Sequence, residues 1–248
     1  MRALGSGVDP LLDLVVGSEC VGCARPGRML CHPCRALLPV RARVCWPQPT
    51  PPGLVTPWSV ADYDGAVRAM IVGHKDRGQF AFRRVLAGLL AAAVRGALAA
   101  CDDSVVLVPV PSRPGSARRR GYDPMGTLVR LVAAQLRAES YDATTAPLLV
   151  SSPWVVDQAG LSANERARNL AGSMSCPSPG LSRLARRRAR ARVLLCDDVI
   201  TTGATAAEAR RALDAVGLSP IAVATIAATR RRTTIEMGGA LLSRAPRG

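Results

Sequence analysis

Two adjacent carboxylates, Asp197 and Asp198, follow the apolar run Val193-Leu194-Leu195-Cys196 and precede the loop Thr201-Thr202-Gly203-Ala204-Thr205. An ionised aspartate only accepts hydrogen bonds, so such a pair suits the vicinal hydroxyls of a sugar. Side by side, like charges repel unless a cationic or hydroxylic group answers them, which makes a merely loop-capping role awkward. The loop can turn hydroxyls and backbone N–H groups inward. It leads into a segment that reads as a helix, whose N-terminus adds positive potential for a phosphate. These residues predict a ribose 5-phosphate held between a strand end and a helix start.

Three further groups carry chemistry. Lys75 is the one lysine among 33 basic residues. A compact ammonium where arginine is used everywhere else suggests contact with a phosphate or pyrophosphate oxygen, against the alternative of an ordinary exposed lysine. Pro109-Val110-Pro111-Ser112 ends an apolar run and is followed by Arg113, Arg118-Arg119-Arg120, Gly121 and Tyr122. That stretch reads either as a pyrophosphate-holding loop or as a solvated basic one. The polar segment from Gln158 to Asn169, with Arg166, reads either as a lid over substrate or as an amphipathic surface helix.

Cys20-x2-Cys23 and Cys31-x2-Cys34 are two knuckles separated by seven residues, with Cys45 beyond them as a further candidate. Two such pairs supply the four thiolates of a tetrahedral structural zinc site. Disulfides are the weaker reading for a protein expected in the reducing cytoplasm. Cys101, Cys176 and Cys196 read as small buried hydrophobes. With His32 and His74 the only histidines, no catalytic triad is expected.

The elements that must position these groups follow from the pattern. Ser59–Tyr63, Ser104–Pro111, Val193–Cys196 and Ile221–Ala227 read as strands. A helix starts at Ala66 and carries Lys75 at its end; others cover Phe82–Ala99 and Pro124–Arg137. Thr205 and Glu208 are spaced as a capping box, and Gly217 sits where that helix should stop. Strand, loop, helix and strand form a unit whose ligands bind at the carboxyl ends of the strands. Five prolines between Cys45 and Pro57 argue against helix or central strand there. The expected organisation is therefore a cysteine-rich zinc module (1–46), a proline-rich linker (47–57), an α/β body (58–230) and a tail (231–248).

Composition sets the outer bounds. Across 248 residues, 48% hydrophobic content with only 3% aromatics calls for a core of alanine, valine and leucine. A net charge of +15 invites a nucleic-acid or polyphosphate partner, although 32 arginines beside abundant alanine also fit coding in a G+C-rich genome. The densest run, Arg183 to Arg192, reads at least as well as a solvated connection. Asp9, Asp13 and Glu19 argue against a signal peptide. Leu86–Ala100 is too short to span a bilayer and contains Arg95, so no membrane insertion is expected.

The stretch Val193–Thr205 resembles the phosphoribosyl-pyrophosphate (PRPP) signature of type I phosphoribosyltransferases. With Tyr63-x-Gly65, Lys75-Asp76-Arg77-Gly78, Val108–Pro111, Arg118-x-Arg120-Gly121-Tyr122 and Gln158–Asn169, the chain resembles the ComF family over roughly residues 18–230. That resemblance implies a Rossmann-like, mostly parallel sheet flanked by helices, with a small zinc module. It implies Mg²⁺-dependent transfer of a phosphoribosyl group with release of pyrophosphate. Asp197 and Asp198 would bind the ribose hydroxyls, Thr201–Thr205 the 5-phosphate, and Pro109–Ser112 with Arg120 the pyrophosphate. Lys75, Arg166 and Asn169 would stabilise the departing charge. The alternative is a non-catalytic PRPP sensor or DNA-binding protein that partners the DNA-uptake machinery. The chain departs from the family where Tyr122 is followed by Asp123-Pro124 rather than Asn-Gln.

Overall fold

Runs such as Val105-Val106-Leu107-Val108 and Val193-Leu194-Leu195-Cys196 are apolar at every position, the mark of strands covered on both faces. The computed structural model, which describes residues 18–99, 104–112, 121–152, 172–187 and 192–229, bears this out. In chain order the elements are α1 (His32–Ala36), β1 (Arg43–Val44), β2 (Thr56–Asp62), α2 (Gly65–Asp76), a 3₁₀ turn (Phe80–Phe82) and α3 (Arg83–Leu98). Then come β3 (Val105–Pro109), α4 (Pro124–Ala138), β4 (Ala143–Thr145), β5 (Val150–Ser151) and β6 (Met174–Ser175). The last are α5 (Ser178–Arg187), β7 (Arg192–Ile200), α6 (Ala204–Asp214) and β8 (Pro220–Ala228).

Six strands form one sheet in the order β1-β2-β8-β7-β3-β4, in which only β1 runs antiparallel to its neighbour. β5 and β6 make a separate antiparallel pair. Alternation along the strands splits the core in two. Leu107, Leu194, Cys196, Ala224 and Ile226 face α3 and α4, packing with Leu86, Leu90, Val129 and Val132. Val106, Val108, Val193, Leu195 and Val223 face α6, packing with Ala206, Ala209 and Leu213. Leu194 and Leu90 are fully buried, so truncating either to alanine should cost about 2–5 kcal/mol.

Topology locates a crevice. From β3 the chain passes through α4 to β4, toward one edge; from β7 it passes through α6 to β8, toward the other. Right-handed crossovers in opposite directions place the two helices on opposite faces. The carboxyl ends of β3 and β7 are therefore a switch point, where open parallel sheets bind ligands.

The last two residues of the proline-rich segment join the sheet. β2 begins at Thr56 and includes Pro57, paired in register with Val223 of β8, against the expectation that proline excludes a central strand. The reason is local. The Pro57 carbonyl accepts from Cys45 N–H at 2.8 Å on the β1 side, so the missing N–H points to the side where β1 is ending. Upstream, Val21, Met29, Leu30 and Leu38 of the cysteine module pack against the α2–α3 side of the core. Among the described residues, no helix is long and apolar enough to cross a membrane.

Candidate functional site

The acidic pair lies inside β7 rather than after it, because the strand continues to Ile200. Asp197 is in register with Thr225, and Val199 with Ala227, so β8 holds the acids in extended backbone. Successive strand residues point to opposite faces. Asp198 thus turns toward the α2 side, where the Lys75 ammonium meets its Oδ2 at 2.5 Å. The backbone returns one bond to each acid: Asp198 N–H donates to Asp197 Oδ1 at 2.8 Å, and Val199 N–H to Asp198 Oδ1 at 2.9 Å.

The electrostatics are asymmetric. Burial first, and repulsion from Asp198 second, push the Asp197 carboxyl up to about 8. Burial works against the Lys75 charge as well, but Asp198, with Asp197 behind it, outweighs burial and holds the ammonium above its ordinary range. Lys75 stands in the last turn of α2, which packs Val67, Met70 and Ile71 into the core and thereby aims that turn at β7.

The neighbouring loops complete the crevice. Pro109 pairs with Cys196, and Val110 N–H donates to the Cys196 carbonyl at 2.9 Å, so Pro111 and Ser112 leave the sheet beside the acids. On the other side, Thr201 is exposed and Thr202 and Thr205 half-buried, while Gly203 and Ala204 are buried. α6 starts at Ala204, two residues earlier than the capping-box spacing predicts, behind Gly203 at φ 75°. The Thr205–Glu208 capping box does not form. Glu208 instead accepts from Met174 N–H at 3.0 Å and from Arg211, tying α6 to β6. At the start of α6 Thr202 Oγ1 accepts from Ala204 N–H at 3.4 Å, while the N-cap Gly203 offers no side-chain acceptor to the rest of the first turn, whose N–H groups have no intrahelical acceptor. Gly217, at φ 77°, ends the helix with Leu218 N–H donating to the Leu213 carbonyl at 3.0 Å.

Asp197, Asp198, Lys75, Pro109–Ser112 and Thr201–Thr205 are thus brought together. Arg120, Arg166 and Asn169, with the whole Gln158–Asn169 segment, lie outside the described residues. The departure at Asp123-Pro124 has a local cause. Asp123 is the N-cap of α4, its side chain accepting from Gly126 N–H at 3.0 Å, and Pro124 opens the helix.

Sequence reasoning missed the aromatic cluster at the exit of α2. The Tyr122 hydroxyl donates to the His74 carbonyl, and its ring lies edge-on to Phe80 at 4.9 Å and to His74 at 6.0 Å. The signal was present: the chain has two phenylalanines, and both stand within seven residues of Lys75, at positions 80 and 82.

A second site is the cysteine cluster. The sulfurs of Cys20, Cys23, Cys31 and Cys34 lie within 4.8 Å of one another, with Cys23 and Cys31 at 3.7 Å. A tetrahedron of Zn–S bonds of about 2.3 Å has edges of about 3.8 Å, so the spacing fits a structural zinc. Cys31 and Gly22 donate N–H groups to Cys20 Sγ at 3.3 and 3.4 Å. Burial opposes the Cys20 thiolate, yet these backbone donors bring the thiol down to about 6. Cys34, whose thiol hydrogen-bonds to the Cys31 and Cys23 sulfurs, is pushed up to about 12. Cys45 is not in the group; it lies between β1 and β2 against the α6-side core. Cys196 is fully buried, as a small hydrophobe should be, and its thiol is raised by that burial.

No family model matches the chain, and comparison with curated proteins returns no match.

Proposed function

We propose that the protein is a phosphoribosyltransferase that binds PRPP and transfers its phosphoribosyl group to a nucleophilic acceptor, releasing pyrophosphate. The observation that carries this reading is the convergence of an acid pair, a helix start with a glycine N-cap and a single lysine at one switch point. The resemblance of Val193–Thr205 to the PRPP signature supplies the identity of the ligand.

In this reading Asp197 and Asp198 accept from the ribose 2- and 3-hydroxyls, and the Thr201–Thr205 loop binds the 5-phosphate through N–H groups and hydroxyls. Pro109–Ser112 would flank the pyrophosphate. The carboxylate oxygens are hard donors of the kind Mg²⁺ prefers, and the cation would come with the substrate phosphates instead of being caged by protein alone. When bound, Mg²⁺ neutralises charge on the leaving pyrophosphate. An acceptor lone pair forms the new bond to the anomeric carbon as the bond to pyrophosphate oxygen breaks and its electron pair leaves with that oxygen. The acceptor's proton passes to solvent or to a base on the acceptor. Lys75, already beside the acids, is placed to meet the departing charge. Breaking its contact with Asp198 would free both groups for ligand.

Calorimetric titration of PRPP with Mg²⁺ tests this. Binding by the wild type that falls at least about tenfold in Asp197→Asn/Asp198→Asn is expected, since the charge-assisted acceptor at Asp198 and the second carboxyl at Asp197 are both lost. Equal binding by the two proteins, or none by a folded wild type, would remove the proposal.

A further inference from the structure

We propose that Tyr122 is a positioning residue that fixes Lys75 against Asp198 by capping the carboxyl end of α2. The last carbonyls of any helix lack intrahelical donors and must find others. In α2 the Gly73 carbonyl takes Arg77 N–H at 3.2 Å and Gln79 N–H at 3.0 Å. The next carbonyl, that of His74, takes the Tyr122 hydroxyl, which also reaches the Lys75 carbonyl at 3.4 Å. A side chain 48 residues away in sequence therefore sets how the last turn ends, and Lys75 projects from that turn.

Packing makes the cap rigid. The His74 ring is 2% exposed and packs edge-on against both Phe80 and Tyr122, which also touch each other. Burial holds it below its ordinary range, favouring the neutral ring within this packing. Gly73 leaves room for the residues that follow the helix: a Cβ there would lie 2.0 Å from Gln79 Oε1 and 3.1 Å from Phe82 Cε2. At its other side Tyr122 abuts Asp123, the N-cap of α4. The residue thus joins the start of the helix after β3 to the turn that presents the lysine. One clasp couples both flanks of the crevice. This inference rests on the phosphoribosyl reading only for the use made of Lys75; the link from Tyr122 to Lys75 stands on contacts alone.

Because Lys75 is the one lysine of the chain, protein grown with ¹³C,¹⁵N-lysine reports it as a single side-chain spin system. Titration of that signal is followed in the zinc-loaded full chain, in Tyr122→Phe and in Asp198→Asn, the last giving the signal of a lysine without its partner. Tyr122→Phe keeps the ring and removes the hydroxyl. Its Lys75 signal is expected to titrate lower than wild type by about half a pH unit or more, moving toward Asp198→Asn. An unchanged titration in folded Tyr122→Phe overturns the proposal. Should that variant not fold, Phe80→Leu unseats the Tyr122 ring from its exposed side, and a wild-type titration there overturns it equally. Adding PRPP with Mg²⁺ to the same samples separates the two claims. A Lys75 signal that moves in Tyr122→Phe while no form binds PRPP sustains the clasp and removes the phosphoribosyl reading. PRPP binding with an unmoved Lys75 signal does the reverse.

Discussion

At the scale of single residues, the acid pair is a conflict held in place by its surroundings. Two carboxylates on consecutive strand positions are destabilising in the absence of ligand, and only Asp198 has a cation within 2.5 Å. Asp197 absorbs the cost by keeping its proton, its carboxyl raised to about 8 chiefly by burial. The folded state then holds a proton that the unfolded chain loses near its ordinary value of 3.8, so stability falls as pH rises between those two points. Asp197→Asn keeps the acceptor for Asp198 N–H and removes the titration. Thermal melts should show the variant gaining on wild type from pH 5 to pH 8, and parallel curves for the two proteins would mean that Asp197 is not so raised. The pair and the singular lysine were legible in the sequence because their types are rare in such positions. Tyr122 was not, because its contact depends on where β3 and α4 place it, and local patterning carries no information about a partner 48 residues away.

At the scale of elements, α2 is the part on which the two sites meet. Its carboxyl end is held by Tyr122, and its start lies under the cysteine cluster. A Cβ on Gly22 would stand 2.8 Å from Cys34 Sγ and 3.7 Å from the Ala66 Cβ, so glycine is required for the knuckle to close against the helix. Gly22→Ala should therefore displace a sulfur ligand and weaken zinc retention. Loss of the metal should loosen α2 before it loosens α6, whose contacts are with β6, β7 and β8. Metal analysis together with amide hydrogen exchange checks both: less zinc after mild chelation, and faster exchange in Gly65–Asp76 than in Ala204–Asp214. Unaltered zinc content in the variant would contradict the packing. Helix extents were largely legible from apolar periodicity; Pro124–Ala138 differs by one residue from expectation. The capping box was misread because Glu208 has a stronger use, a buried carboxylate answering Arg211 and the Met174 N–H. The β7 end was misread because acids inside a parallel strand are tolerated only where the sheet edge opens on a crevice.

At the scale of the whole molecule, the proline-rich segment is a strap across the Thr201–Thr205 loop. A Cβ on Gly203 would meet Leu54 Cδ2 at 2.8 Å, Pro47 Cγ at 3.1 Å and Pro51 Cγ at 3.2 Å, and Arg210 anchors the strap through the Gly53 carbonyl at 3.0 Å. Pro47 and Leu54 are buried there, so the segment carries packing that its composition alone would not suggest. Gly203 is thereby constrained twice, by φ 75° and by the strap. Gly203→Ala should cost about 1–3 kcal/mol for the backbone alone, with the clash added. For a domain of this size each kcal/mol lowers the melting temperature by about 2–4 °C. Leu54→Ala removes the nearest obstructing atom and leaves the backbone term. The double variant should then be less destabilised than the sum of the single ones, because residues in contact couple where distant ones add. Additive melting shifts would show that the strap does not bear on Gly203. A positive coupling would establish that the segment between the cysteine module and the sheet shapes the first turn of α6. If the proposed PRPP site is here, PRPP affinity should drop in Gly203→Ala and recover in part when Leu54 is shortened, and unchanged affinity would separate the strap from ligand binding.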